Sequence, residues 1–186
     1  MLKAHYFFAL SLSQETKRHI HKWTQPMKDE DSFQRWVHPQ DYHITLAFLG
    51  NADELQPVIH KVGALECSAF PLTLDYFGIF GKSDSPRILW MGVQPSEALQ
   101  RVRDRMYDAC EEAGFQLDKR PFSPHITVGR KWNKDFPFTP EWLNAFQPTD
   151  THSFTAGEIV LYQTHLDRLP KYEAIYTKSL QAYRPS

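Results

Sequence analysis

Cysteine is scarce: 186 residues hold only Cys67 and Cys110, with no CxxC spacing. That argues against a disulfide scaffold and against a thiolate zinc site, and it fits a reducing compartment. Charge of one sign is lacking too. There are 21 basic and 22 acidic residues, a formal net charge of −1. A polybasic, histone-like nucleic-acid binder is thereby disfavoured, although a local basic patch fits within this balance. No run of 18 apolar residues occurs, so no membrane span is expected. The opening Met1-Leu2-Lys3-Ala4-His5 lacks the charged-then-apolar layout of a signal peptide. Gly/Ser-rich linkers and low-complexity tracts are absent. What remains is ordinary globular usage, 41% hydrophobic and 23% charged, which rules out disorder. The expectation is a soluble, cytoplasmic, monomeric protein with one domain over 1–186.

The apolar pattern suggests elements along the whole chain. His5 to Leu12 reads as a buried strand, and Ser13 as the N-cap of a helix reaching Met27, with Ile20, Trp23 and Met27 inward. Arg35 to Asp41 reads as a connector and His43 to Leu49 as a second strand. Asp53 is placed as the cap of a helix whose face is Leu55, Val58, Ile59, Val62 and Leu65. Phe70 to Phe80 and Arg87 to Val93 form a hairpin-like pair. Ser96 opens a long helix with Leu99, Val102, Met106 and Ala109 or Cys110 inward, ended by Gly114. Phe122 to Arg130 is a strand, Pro140 to Phe146 a short helix, and Glu158 to His165 and Tyr172 to Leu180 close the chain as strands. This order is too irregular for a doubly wound parallel sheet, and α+β with much antiparallel pairing is expected.

One internal echo carries chemistry. His43-Ile44-Thr45-Leu46 and His125-Ile126-Thr127-Val128 lie 82 residues apart, both in predicted strands. Alternation puts His and Thr of each tetrad on one face, and the aliphatic pair on the other. A single His-x-Thr in a strand is common and usually structural, since threonine favours strands anyway. Two copies with the same aliphatic backing make coincidence a poor explanation. If the halves are related by a pseudo-twofold, two imidazoles and two hydroxyls meet in one cleft. Such a cleft suits a phosphate diester. One neutral imidazole takes a proton from water, and one protonated imidazole gives a proton to the leaving alkoxide. The hydroxyls donate to non-bridging oxygens. This chemistry calls for no metal and no cofactor.

At these residues the chain resembles the 2H phosphoesterase superfamily, and within it the RNA 2′,3′-cyclic phosphodiesterase branch, also called 2′-5′ RNA ligase. Supporting stretches are Tyr6-Phe7-Phe8-Ala9-Leu10, Trp36-Val37, Ala47-Phe48-Leu49-Gly50, Phe77-Gly78-Ile79-Phe80, Pro86-Arg87-Ile88-Leu89-Trp90 and Phe122-Ser123-Pro124 before the second tetrad. The resemblance runs to about Lys131, and 132–152 has no counterpart. It implies a bilobal α+β fold, with duplicated βαβ-type units and mostly antiparallel sheets around a central cleft. It implies opening of cyclic phosphates at RNA 3′ ends, or of nucleoside 2′,3′-cyclic phosphates, to 2′-phosphomonoesters. His43 would protonate the departing O3′ and His125 would activate water. The near-identical tetrads do not themselves divide these roles. Two alternatives stand beside hydrolysis: 2′-5′ joining by the reverse reaction, and an RNA-end binding module without turnover.

Other residues are weighed against plainer roles. The Arg130 guanidinium suits phosphate oxygens, but regular alternation aims it away from His125 unless the strand end near Gly129 redirects it. A surface arginine is the alternative. Lys119, Arg120, Lys131 and Lys134, interleaved with Phe122, Trp132 and Phe136, could guide an RNA backbone or be solvated surface. Phe8 and Phe48 are cleft candidates, and parity groups Phe48 with the core residues Ile44 and Leu46. Ser123 has no Asp–His partnering for a serine triad. The remaining seven histidines show no metal-ligand spacing.

Overall fold

A computed structural model describes residues 4–182. Two antiparallel sheets form its framework. The first contains β1 (His5–Ser11), β3 (His43–Asn51), β8 (Glu158–Thr164) and β9 (Tyr172–Ser179), in the order β3-β1-β8-β9. The second contains β2 (Phe33–Trp36), β4 (Phe70–Gly81), β5 (Pro86–Val93), β6 (His125–Trp132) and β7 (His152–Ala156), in the order β2-β6-β5-β4-β7. Setting β2 aside, the two orders match strand for strand. β3 and β6 correspond, as do β1 and β5, β8 and β4, β9 and β7. The expected α+β fold with antiparallel sheets and a duplicated unit is present.

Helices α1 (Gln14–Asp29) and α3 (Glu97–Glu112) follow β1 and β5. Each begins as its sequence requires. The Ser13 hydroxyl accepts from Thr16 N at 3.1 Å, and the Ser96 hydroxyl from Leu99 N at 3.2 Å, satisfying donors the helix itself leaves open. Gly114, at φ +93°, ends the segment after α3 in a conformation that a side chain would resist. The buried faces are Ile20 and Met27 on α1, and Leu99, Met106 and Cys110 on α3. Each helix packs on the other repeat's sheet. The α1 residue Thr16 bonds His152 of β7 at 3.0 Å, while α3 lies against β3 and α2 (Gln56–Gly63). One continuous core results, with Phe8, Leu10 and Ile44 from the first sheet and Leu74, Leu89 and Met91 from the second.

Several expected elements differ. Phe33–Trp36 is a strand rather than the lead-in to a connector, and only Pro39–Asp41 beyond it is a 3-10 turn. Helix α2 starts at Gln56 with Leu55 at the N-cap position and no side-chain cap bond, so Asp53 stands ahead of the helix instead of capping it. β6 begins at His125, three residues later than Phe122, because Pro124 has no N–H for the ladder. β7 lies in the stretch that carried no expected strand. The short helix α4 (Pro140–Asn144) is present, with Pro140 in its first turn.

Candidate active site

Each tetrad sits on a strand that carries the same irregularity. In β3, His43 is opposite Ser11 and Thr45 is opposite Ala9, but Ala47 is already opposite Phe8, so Leu46 is an extra residue. In β6, His125 is opposite Gly92 and Thr127 is opposite Trp90, while Gly129 is opposite Leu89, so Val128 is extra. Both are β-bulges, and both fall on the fourth residue of the tetrad. A bulge shifts side-chain parity by one. Arg130, opposite Ile88, therefore joins His125 and Thr127 on one face of the sheet. By the same shift Phe48, opposite Phe7, joins His43 and Thr45. Plain alternation mis-assigned both residues. Phe48 is 52% exposed rather than core, whereas Ile44, Leu46, Ile126 and Val128 are buried as expected.

The imidazoles are held in one way on both strands. His43 Nδ1–H donates to the carbonyl of Asp41 at 2.7 Å, and His125 Nδ1–H to the carbonyl of Ser123 at 2.7 Å. Each ring thus bonds the backbone two residues upstream through Nδ1–H, so that Nε2 is the nitrogen without a hydrogen. His43 Nε2 accepts from the Thr45 hydroxyl at 3.1 Å. The walls differ. His43 lies among Phe7, Tyr172 and Tyr162, with ring centroids at 4.9, 5.1 and 6.1 Å. His125 meets Phe80 edge-on at 4.9 Å and Trp90 at 6.3 Å. Trp90 lies flat over Gly78, where a Cβ would come within 2.3 Å of its ring. Strands β3 and β6 are spatial neighbours, and each carries its His and Thr on one face.

A sequence model of the 2′-5′ RNA ligase superfamily matches residues 13–168. The chain belongs to that superfamily. Over 179 residues it is 41% identical to an RNA 2′,3′-cyclic phosphodiesterase of Geobacillus stearothermophilus, covering 94% of this chain but only 57% of that protein. A Bacillus subtilis protein of the same name is 37% identical over 185 residues, covering 94% of this chain and 96% of its own. The crystal structure of E. coli LigT complexed with 3′-AMP superposes with a TM-score of 0.78 at 26% identity, covering 95% of this chain and 97% of that one. The superfamily match extends through 132–152, the stretch without a counterpart in the sequence reading.

Electrostatics separates the paired imidazoles of this superfamily member. Burial drives His43 down to about 4. The carbonyl and carboxylate of Asp41 resist that fall, while His125 and Lys17 add to it by charge repulsion. His125 is lowered as well, first by burial and then by Arg130, against the pull of the Ser123 carbonyl. Asp41 has a structural task besides. Its buried carboxylate accepts from Lys171 N at 2.9 Å and Tyr172 N at 3.1 Å, tying the start of β9 to the strand that carries His43.

The structure thus sets His43 and Thr45 on one face of β3, and His125, Thr127 and Arg130 on one face of its neighbour β6. It does not assemble the basic-aromatic stretch as a unit. Arg120 is paired with Asp118, Lys134 is tied to the carbonyl of Glu30, and Trp132 is buried; of the four cations only Lys131 lines a groove shared with Arg130. Ser123 meets His125 through its carbonyl, not its hydroxyl. Among the described residues no three His, Cys, Asp or Glu side chains stand grouped to hold a metal ion. Sequence reading missed Arg35, which sits opposite Arg130, and the aromatic walls Phe7, Phe80, Trp90, Tyr162 and Tyr172. A four-residue strand alternates too briefly to announce itself. Aromatic residues in strands give no sign of which face they take.

Proposed function

We propose that this chain hydrolyses 2′,3′-cyclic phosphates at RNA 3′ ends, leaving 2′-phosphomonoesters. The observation that carries the reading is the matched pair of bulged His-x-Thr strands, each with the histidine's Nδ1 tied to its own backbone. The names of the relatives support the same substrate class. His125 Nε2 takes a proton from water as the water oxygen forms its bond to phosphorus. The P–O3′ bond breaks in line with that attack, and His43, protonated on Nε2, gives its proton to O3′. Thr45, Thr127 and Arg130 hold the non-bridging oxygens, where negative charge builds in the transition state. An imidazole near 4 is neutral in the free protein, and a bound phosphodiester anion favours its protonation. Once charged it is a strong acid, which suits the donor role of His43. Nothing in this scheme draws on a metal.

The test is turnover of nucleoside 2′,3′-cyclic phosphates in the presence of chelator, with the product resolved as 2′ or 3′ monoester. The 2′ product is expected. A 3′ product would reverse the assigned leaving group, and stoichiometric binding without product would leave an RNA-end binding module. Joining of a cyclic-phosphate end to a 5′-hydroxyl uses the same groups in reverse, and the equilibrium position with both ends present measures it.

A further inference from the structure

A groove of about 590 Å³ lies on the second sheet. Its lining includes Phe80, the ring that meets His125 edge-on, and Arg130. Beyond these it is lined by Arg35, Lys82, Arg87 and Lys131, and no carboxylate lines it. Register explains how the cations gather. Arg35 on β2 and Ile88 on β5 flank Arg130 from either side, Arg87 precedes Ile88, and Lys82 belongs to the turn that joins β4 to β5. Among the described residues none of these five cations forms an ion pair. Elsewhere Lys61, Arg101, Arg103, Arg120 and Arg168 are each paired with a carboxylate. In a chain of net charge −1, five unpaired cations in one trough are a strong local asymmetry. Lys131 also holds φ 66° inside a strand, a backbone region that a lysine rarely occupies.

We infer that this groove is the track for the RNA chain on the 5′ side of the cyclic end, gripping the phosphates of the upstream nucleotides. Unpaired cations along a trough bind a single-stranded backbone without reading its sequence, and such binding weakens steeply with salt. The inference rests on the proposed cyclic-phosphate chemistry, because the reacting end must sit between His43 and His125 for the chain to run past Arg130. It assigns Lys82 and Arg87 to chain length rather than to chemistry.

The experiment compares kcat/KM for a tetranucleotide ending in a 2′,3′-cyclic phosphate with kcat/KM for the corresponding mononucleotide, at 50 and 200 mM salt. The wild-type ratio should be roughly tenfold or more at low salt and shrink at high salt, and the double variant Lys82→Ala/Arg87→Ala should lower it about tenfold. Both side chains are exposed, so the fold should survive, and the charge-reversing pair Lys82→Glu/Arg87→Glu should lower the ratio further. A wild-type ratio near one, or a ratio untouched by either variant, overturns the inference. Should neither substrate turn over, the cyclic-phosphate reading itself fails. The groove is then judged by titrating a labelled tetranucleotide with a 2′-phosphate end: an unchanged salt slope in the double variant overturns it, and a shallower slope sustains it.

Discussion

The strand that carries His43 and the strand that carries His125 share a tetrad, a bulge and a backbone tether for the ring, and they part at the residue that the bulge delivers to the cleft. In one it is Phe48, in the other Arg130. The surroundings diverge in the same sense. His43 is enclosed by three aromatic rings and pushed to about 4, while His125 feels the charge of Arg130 and touches Phe80, which lines a cationic groove. On the proposed function, one scaffold used twice yields an apolar half that sharpens an acid and a charged half that handles an anion. The symmetry lies in the backbone, and the division of labour in one side chain per copy.

The largest way to break this comparison is to remove either ring. His43→Ala and His125→Ala should each lower kcat by about 10²–10⁴-fold on a nucleoside 2′,3′-cyclic phosphate. Near-wild-type turnover in either variant would defeat the paired chemistry. The pH profile sharpens the same point. In the proposed scheme the competent free enzyme carries one proton, on His43, and both imidazoles sit below the ordinary histidine value. kcat/KM should therefore peak on the acid side of about 6.5 and fall as pH rises beyond it, while kcat, measured with the anion bound, should hold to higher pH.

Next come the residues at which the copies part. Arg130→Ala should cost roughly ten- to a hundredfold in kcat/KM, the worth of a charge-assisted bond to phosphate, with Arg130→Lys recovering part of it. Phe48→Ala should cost less, through KM. Equal losses would mean that the two positions are not functionally distinct. A structural comparison follows. Gly78→Ala would drive a Cβ into the Trp90 ring, which leans toward His125. A loss of about 1–3 kcal/mol in a denaturant titration is expected, with no such effect from alanine at Gly157, where the space is open.

The smallest effect is in acid stability. His43 stays neutral in the fold down to about 4 but charges near 6.5 in the unfolded chain. Its contribution is whole above 6.5 and is lost as pH falls toward 4, roughly 2 kcal/mol for a half-buried ring. His125 and His152 shift in the same direction. His43→Gln should flatten part of the decline in Tm between pH 7 and pH 5.

Much of the fold was legible because its signals are local. Ser13 and Ser96 start helices by their hydroxyls, and Gly114 marks an end that only a positive φ allows. The tetrads were legible because period-two alternation is short-ranged and held through their first three residues. The failures share a cause. A bulge is set by pairing with another strand, so nothing in His125 to Arg130 announces that Val128 is extra, and parity sent Arg130 and Phe48 to the wrong faces. Arg35 was invisible for a related reason: its place depends on lying opposite Arg130, almost a hundred residues away.

The crossed helices bear on how the cleft behaves in time. The chain leaves β1 for a helix that rests on β7, and leaves β5 for a helix that rests against β3. Swinging the halves apart would pull each helix off the other repeat's sheet, exposing apolar surface worth several kcal/mol. A wide jaw-like gape is therefore costly, and on the proposed function an arriving RNA terminus would meet a receptor already in shape.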